Sequence, residues 1–148
     1  MITIDTRERK FDHIRSYFDR NRIPYKIEKL DYGDYWNDAA PKVVVDRKQN
    51  LGEVATNLCS PDSSRFWREI RGAHRAGLKM IILVEHGKGI QSIRDVASWK
   101  NPYSDYMSGN RLVTQMFDTA MAYGVEWRFC EKRQTGRKIL EIIGYGKR

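Results

Sequence analysis

The sequence predicts an α/β domain, one mixed β-sheet lying between helices. Three observations carry that reading. Segments with strand and helix character follow one another as strand, helix, strands, helices, strand, helix, strand, helix. Met80 to Val84 is a continuous apolar run, the pattern of a strand covered on both faces. Leu112, Val113, Met116, Phe117, Ala120 and Met121 form an unbroken apolar stripe at helical spacing.

Each element has its own signal. Residues 1–6 alternate as a strand, and Phe11, Ile14 and Phe18 then mark a helix. That helix must end near Arg22, because Pro24 forces Ile23 into an extended conformation. Residues 25–31, with Tyr25, Ile27 and Leu30, and residues 42–48 give two further strands. Leu51 to Cys59 is a short helix. Pro61-Asp62-Ser63 supplies a turn and a cap for a second helix from Ser64 to Ala76, which Gly77 ends. After the strand at Met80 to Val84 comes a long irregular stretch, Gly87 to Gly109, of the kind that is usually either functional or disordered. The apolar stripe closes at Gly124, and Val125, Trp127 and Phe129 alternate as a final strand. Ile139, Leu140, Ile142 and Ile143 have helical spacing, with a strand as the alternative.

A length of 148 residues suits one domain with an ordinary core, and neither an internal repeat nor a low-complexity segment is present. Lys and Arg number 27 against 19 Asp and Glu, a net charge of +8, which favours a polyanionic partner without requiring one. No apolar run approaches the ~20 residues of a membrane span, and no signal peptide precedes Met1. Cys59 and Cys130 are too few and too far apart for a disulfide framework and read as reduced thiols of a cytoplasmic protein. His13, His74 and His86 are scattered, which argues against a zinc or histidine-nucleophile site.

Three short pieces carry chemistry: Ile4-Asp5-Thr6-Arg7-Glu8, Gly33-Asp34-Tyr35 and Val43-Val44-Val45-Asp46-Arg47-Lys48. The last is a buried strand with charges at its end. Alternation puts Asp46 and Lys48 on one face and Arg47 on the other. Placing a carboxylate and an ammonium there is costly without a task. Asp34, just after a glycine, can close on the same spot from a neighbouring strand. Two carboxylates beside a lysine form a hard-cation site of the kind that metal-assisted phosphodiester hydrolysis uses.

These residues resemble the signature of the XPF-type structure-specific endonucleases, a branch of the PD-(D/E)xK nucleases. That signature is a Gly-Asp, then Glu-Arg-Lys, then an Asp four residues after the Lys, preceded by a strand of the form Val-Asp-x-Arg-Glu. Here the opening strand is matched by Ile4, Asp5, Arg7 and Glu8, and Leu30 to Tyr35 resembles the approach to the Gly-Asp motif. The family's Glu is Asp46, one methylene shorter, and its trailing Asp falls on Gly52 with Glu53 next door. The likeness runs through most of the chain and is closest to the stand-alone nuclease domains that bacteriophages often carry. It implies a restriction-endonuclease-like fold in a single nuclease domain spanning 1–148, without a helix-hairpin-helix module. It also implies a host-cytoplasmic setting if viral.

The resemblance implies a site in which Asp34 and Asp46 hold Mg²⁺ or Mn²⁺ with a backbone carbonyl near Arg47 and waters, while Lys48 acts on the water or the phosphate. Asp5 becomes a neighbour of that site, its alternative being a cap on the following helix. Glu8 is either a second carboxylate near the metal or a first-turn residue complementing the helix dipole. A second metal would use Glu8 or Glu53. The expected partner is branched DNA or a single-strand/double-strand junction, met by a homodimer or with a partner subunit. Nucleic-acid contacts are assigned to Arg7 and Arg47 and to Arg65, Arg68, Arg71 and Arg75, which share one helical face; a solvated face is the alternative. A second basic area lies at Arg128, Lys132, Arg133, Arg137, Lys138, Lys147 and Arg148. Trp99 to Tyr106 reads either as a packed aromatic loop or as a platform for unpaired bases. Two other functions fit the same residues, a sequence- or mismatch-specific endonuclease and a non-catalytic DNA-binding or scaffolding module. Retention of Asp34, Asp46 and Lys48 together argues against the second.

Overall fold

In the computed structural model, which describes residues 1–59 and 64–145, a six-stranded sheet separates two layers of helices. The elements are β1 (Ile2–Ile4), α1 (Asp12–Arg20), β2 (Tyr25–Ile27), β3 (Tyr35–Asn37), β4 (Val43–Lys48), α2 (Leu51–Cys59), α3 (Ser64–Arg75), β5 (Lys79–Glu85), α4 (Ile93–Val96), α5 (Gly109–Tyr123), β6 (Glu126–Cys130) and α6 (Thr135–Ile142). The strand order is β2-β1-β3-β4-β5-β6. β3 runs antiparallel to both β1 and β4, and every other neighbouring pair is parallel, so the sheet is mixed as expected.

The direction of travel across the sheet decides which helices lie on which face. From β4 the chain steps to β5 and then β6, each time through helices, while from β1 it steps the opposite way to β2 through α1. Right-handed crossovers then place α2, α3, α4 and α5 on one face and α1 on the other, where α6 joins it. Strand alternation supplies each layer. Val44, Met80, Ile82, Val84 and Trp127 pack beneath α2 to α5. Ile2, Ile4, Tyr35, Val45, Leu83 and Cys130 pack against Ile14 and Phe18 of α1 and Ile139 of α6.

Several expectations shift. β3 was not anticipated as a strand, because Tyr35–Asn37 is only three residues long and lies between two turn-forming stretches. The strand expected over 25–31 keeps only Tyr25–Ile27, because β1 offers three partners and no more. The amide of Leu30 instead donates to Asp5 Oδ1 at 2.8 Å. The stretch from Gly87 to Gly109 contains one turn of helix, α4. The C-terminal segment is helical, and a short 3₁₀ turn with a Glu131–Gln134 capping box leads into it. The Pro61-Asp62-Ser63 turn lies outside the described residues. On α5 the apolar stripe is buried at Leu112 and Met116, but Phe117 and Met121 are 51% and 87% exposed. No helix among the described residues is long and apolar enough to cross a membrane.

Gly33 fixes how the turn before β3 meets β4. Its φ is +75°, and a Cβ there would lie 2.5 Å from Val44 Cγ2 and 2.9 Å from the Val45 carbonyl oxygen. That carbonyl already accepts from the Asp34 amide at 2.7 Å, so it cannot retreat without losing the bond. Gly33→Ala is expected to cost at least about 1–2 kcal/mol from the left-handed backbone alone, with the steric conflict added. Urea unfolding followed by circular dichroism measures it, and an unchanged midpoint would contradict the tight-turn account.

Candidate active site

β4 delivers its charges to two different faces. Asp46 and Lys48 emerge on the α2–α3 side, where Lys48 Nζ lies 3.2 Å from Asp46 Oδ2 and 4.7 Å above the Phe66 ring. Asp34 reaches the same place from the turn before β3. Its amide donates to the Val45 carbonyl, its carbonyl accepts from the Asp5 amide at 2.8 Å, and its Oδ2 accepts from the Arg47 amide at 2.8 Å. With main-chain and side-chain positions both fixed, the Asp34 carboxyl lies near enough to that of Asp46 to feel its charge. Both line a cavity of about 300 Å³ together with Lys48, Asn57, Arg65 and Glu69.

The electrostatics follow from burial and crowding. Burial first, then the negative charges of Asp46 and Glu8, push the Asp34 pKa well above the usual carboxylate range, with Lys48 opposing. Without a cation the folded protein therefore holds this proton to higher pH than the unfolded chain does. The metal-free fold accordingly loses stability as pH rises from the ordinary carboxylate value through the raised one. Burial works against the Lys48 ammonium, but Asp46, Asp34 and Glu53 outweigh it and raise its pKa. Lys48 is thus a fixed positive charge at neutral pH. Glu53 and Glu69 are also raised, chiefly by burial. Glu53 Oε1 accepts from the Gln49 amide at 3.3 Å, and this bond and the Lys48 charge both oppose the rise at Glu53.

On the opposite face, Arg47 is enclosed. Its Nε donates to Glu8 Oε2 at 2.9 Å, its Nη2 to the Arg9 carbonyl at 2.6 Å and its Nη1 to Glu85 Oε1 at 3.4 Å. The side chains of Arg47, Glu8 and Glu85 are 1%, 7% and 6% exposed. Burial opposes the guanidinium's charge, but Glu8, Tyr35 and Glu85 together raise its pKa. The expected contact of Arg47 with nucleic acid is therefore corrected: this guanidinium neutralises Glu8 behind the site. Glu8 in turn stands close enough to raise the Asp34 pKa, yet its oxygens are taken by Arg47.

Asp5 and Arg7 form a brace. Asp5 Oδ2 accepts from Arg7 Nε at 2.8 Å, Asp5 Oδ1 from the Leu30 amide, and Arg7 Nη2 reaches the Leu30 carbonyl at 2.9 Å. The Asp5 side chain is 1% exposed and its oxygens are occupied, so the structure makes it a support for the approach to Gly33 rather than a catalytic group. Arg7 keeps partial exposure but is committed to Asp5, which holds its pKa up, and lies 3.9 Å from Glu69. Arg65 sits at the cavity rim and pairs with Glu69 at 3.3 Å. Arg68, Arg71 and Arg75 are exposed and enter no ion pair among the described residues.

Two acids were missed from the sequence. Glu69 accepts from the Gly33 amide at 3.0 Å and lines the cavity, so the acid that lay off the arginine stripe is the one that ties α3 to the Asp34 turn. Glu85 accepts from Arg47, His13 and Thr135. A charge ending a buried apolar strand was the available signal, since the same logic identified Asp46.

The donor set fits a small hard cation. Asp34 and Asp46 line one cavity and repel each other when both are charged, and a proton or a positive ion relieves that repulsion. Among the described residues no group of three His, Cys, Asp or Glu side chains stands together as a closed cage. Mg²⁺ suits such an open site, because it binds through one or two carboxylates and keeps several waters.

Comparison with known proteins agrees with this architecture. XPF from Aeropyrum pernix superposes with a TM-score of 0.72 over 99% of this chain at 17% sequence identity. XPF from Aeropyrum pernix in a complex with DNA gives 0.68 over 97% at 18%. At these identities the likeness is one of fold, and the chain spans 65% and 62% of the length of those two chains. Among curated proteins no match is found. The model of the ERCC4 domain matches residues 4–142, from the end of β1 to the end of α6 and through every residue of the cavity just described. This chain belongs to the ERCC4 domain family.

Proposed function

We propose that this chain is a divalent-metal-dependent endonuclease that hydrolyses phosphodiester bonds in branched DNA. The observation that carries the reading is the Asp34–Asp46 carboxyl pair, with Lys48 at 3.2 Å, in an open cavity at the end of β4. Asp34 and Asp46 hold the cation. When bound, a divalent ion supplies a polarised phosphate and a more acidic water. Lys48 places a permanent positive charge beside the carboxylates, where negative charge grows on a phosphate in the transition state. Its raised pKa suits an electrostatic role and not that of a base. Arg47 acts at one remove: its amide aims Asp34 Oδ2, and its guanidinium restrains Glu8 from adding a free charge to the crowd.

The DNA is proposed to lie along α3. Arg65 stands at the cavity rim, and Arg68, Arg71 and Arg75 continue from it on a helix of 12 residues, roughly 18 Å long. A net charge of +8 agrees with such a track. A second protein chain is proposed over the exposed Phe117 and Met121 of α5, in keeping with the dimers that the family resemblance implied.

Cleavage of flap, fork, four-way-junction and plain duplex DNA in Mg²⁺, Mn²⁺ or chelator tests the reading. Cutting of the flap or fork is expected with either metal and none with chelator. At limiting Mg²⁺, cleavage should rise with pH, because the cation must displace the proton that the metal-free Asp34 carboxyl retains. Cleavage unaffected by chelator would overturn the reading, and cuts placed by sequence or mismatch would favour that alternative. A separate measurement addresses α3. Replacing Arg68, Arg71 and Arg75 with Gln removes three exposed charges at little cost in helix propensity. If each meets a phosphate, the slope of log K against log salt should flatten by roughly 2–3 units on duplex DNA. An unchanged slope returns this face to solvent.

A further inference from the structure

A second cavity, of about 460 Å³, opens at the same end of the sheet between the start of α2, the turn after β5 and the loop that follows α4. Its size falls within the ~300–1,000 Å³ of pockets that take small ligands. Its chemistry is the reverse of the catalytic cavity's. Lys88 and Lys100 line it, and no Asp or Glu does. Trp99 forms one wall, packed on the core and edge-on to His86 with ring centroids 6.2 Å apart. Tyr103 forms another and is 84% exposed.

These walls are braced. Asn101 Oδ1 accepts from the Tyr103 amide at 2.9 Å, and Asn101 Nδ2 donates to the Met107 carbonyl at 3.1 Å, which ties the loop across itself. The Tyr103 ring lies over Gly52, where a Cβ would come within 3.2 Å of it, so ring and helix start are in close contact. At the N-terminus of α2, Asn50 Oδ1 accepts from the Glu53 amide at 2.9 Å and His86 Nδ1 from the Leu51 amide at 3.1 Å. The cavity therefore offers two aromatic surfaces, two ammonium groups and the Nε2–H of a neutral His86. Burial and Lys88 hold the His86 pKa below its usual value, in keeping with that tautomer.

Position supplies the remaining argument. Lys48 lines the catalytic cavity and Asn50 lines this one, so at most ~7.6 Å of backbone separates them. A strand whose phosphate sits at Lys48 has its neighbouring nucleotide within reach of Trp99 and Tyr103. A base paired in a duplex cannot offer its face to either ring, whereas an unpaired one can. We propose that this cavity receives an unpaired nucleotide of the branched DNA substrate, its base against Trp99 and Tyr103 and its phosphate between Lys88 and Lys100. The proposal rests on the nuclease reading and gives it a source of preference for branch points over plain duplex.

Binding measured by fluorescence anisotropy in chelator, where no metal-dependent cutting interferes, tests it. The probes are a labelled fork with unpaired arms and a blunt duplex of equal length. Tyr103→Ala is expected to weaken fork binding by roughly tenfold, the scale of losing one base–aromatic stack, and duplex binding by less than twofold. The double variant Lys88→Gln/Lys100→Gln should shift the same preference, and it carries the test if Tyr103→Ala fails to fold by circular dichroism. Equal losses on fork and duplex, or wild-type affinity on both, would overturn the proposal. Its failure is separable from that of the nuclease reading. A wild-type protein that cuts forks while the variants bind as it does loses only the cavity assignment. One that cuts nothing while the variants lose fork preference loses only the nuclease.

Discussion

Two carboxyl groups meet at the end of a buried strand, and the surrounding chain is arranged around the cost of holding them there. Asp34 is fixed by its amide and its Oδ2, both bonded to the backbone of β4, and by its carbonyl, bonded to the Asp5 amide. It cannot swing away from Asp46 to relieve repulsion. The charge near the pair is therefore managed by its neighbours. Lys48 stands 3.2 Å from Asp46 on the open side, and Arg47 binds Glu8 on the closed side. A buried ion pair of this kind is weak evidence for stability, because desolvation offsets much of the attraction. Its value here is positional: the Arg47 amide aims one carboxylate while its guanidinium occupies another.

Alternation along β4 makes that division of labour. Consecutive residues of one strand send Asp46 to the solvent cavity, Arg47 to the α1–α6 layer and Lys48 back to the cavity. A one-residue change of register would exchange the two sides and bury the acid that the cavity needs. The parallel ladder with β5 and the antiparallel pairing with β3 hold the register, and Gly33 allows the turn to approach closely enough for that pairing.

Much of this was legible in the sequence where a single periodicity or motif carried it. The apolar run at Met80 to Val84, the end of α5 at Gly124 and the co-facial Asp46 and Lys48 all follow from local pattern, and the structure has them. What escaped depends on partners distant in sequence. β3 is too short for a period, and its residues are strand because β1 and β4 flank them. Arg47 looked like any basic residue beside a site until Glu8 and Glu85, 39 and 38 positions away, closed around it. By its motif Asp5 is a neighbour of the site, and only the Leu30 amide, 25 positions on, reveals the brace. Glu69 was read against the arginines of its own helix, whereas its function lies across the gap at Gly33.

The central claim is that Asp34 and Asp46 are crowded in the metal-free protein and that a cation relieves the crowding. Melting temperature of the wild type and of Asp34→Asn, taken with Mg²⁺ and with chelator across a range of pH, measures it most directly. In chelator at neutral pH the variant should melt above the wild type, because Asn carries no charge to desolvate. The gain should fade as pH falls toward the ordinary carboxylate range, where Asp34 regains its proton in both the folded and unfolded chain. Mg²⁺ should raise the wild type by mass action and leave the variant nearly unmoved. A variant that melts below the wild type at every pH, with an equal response to Mg²⁺, would contradict the account.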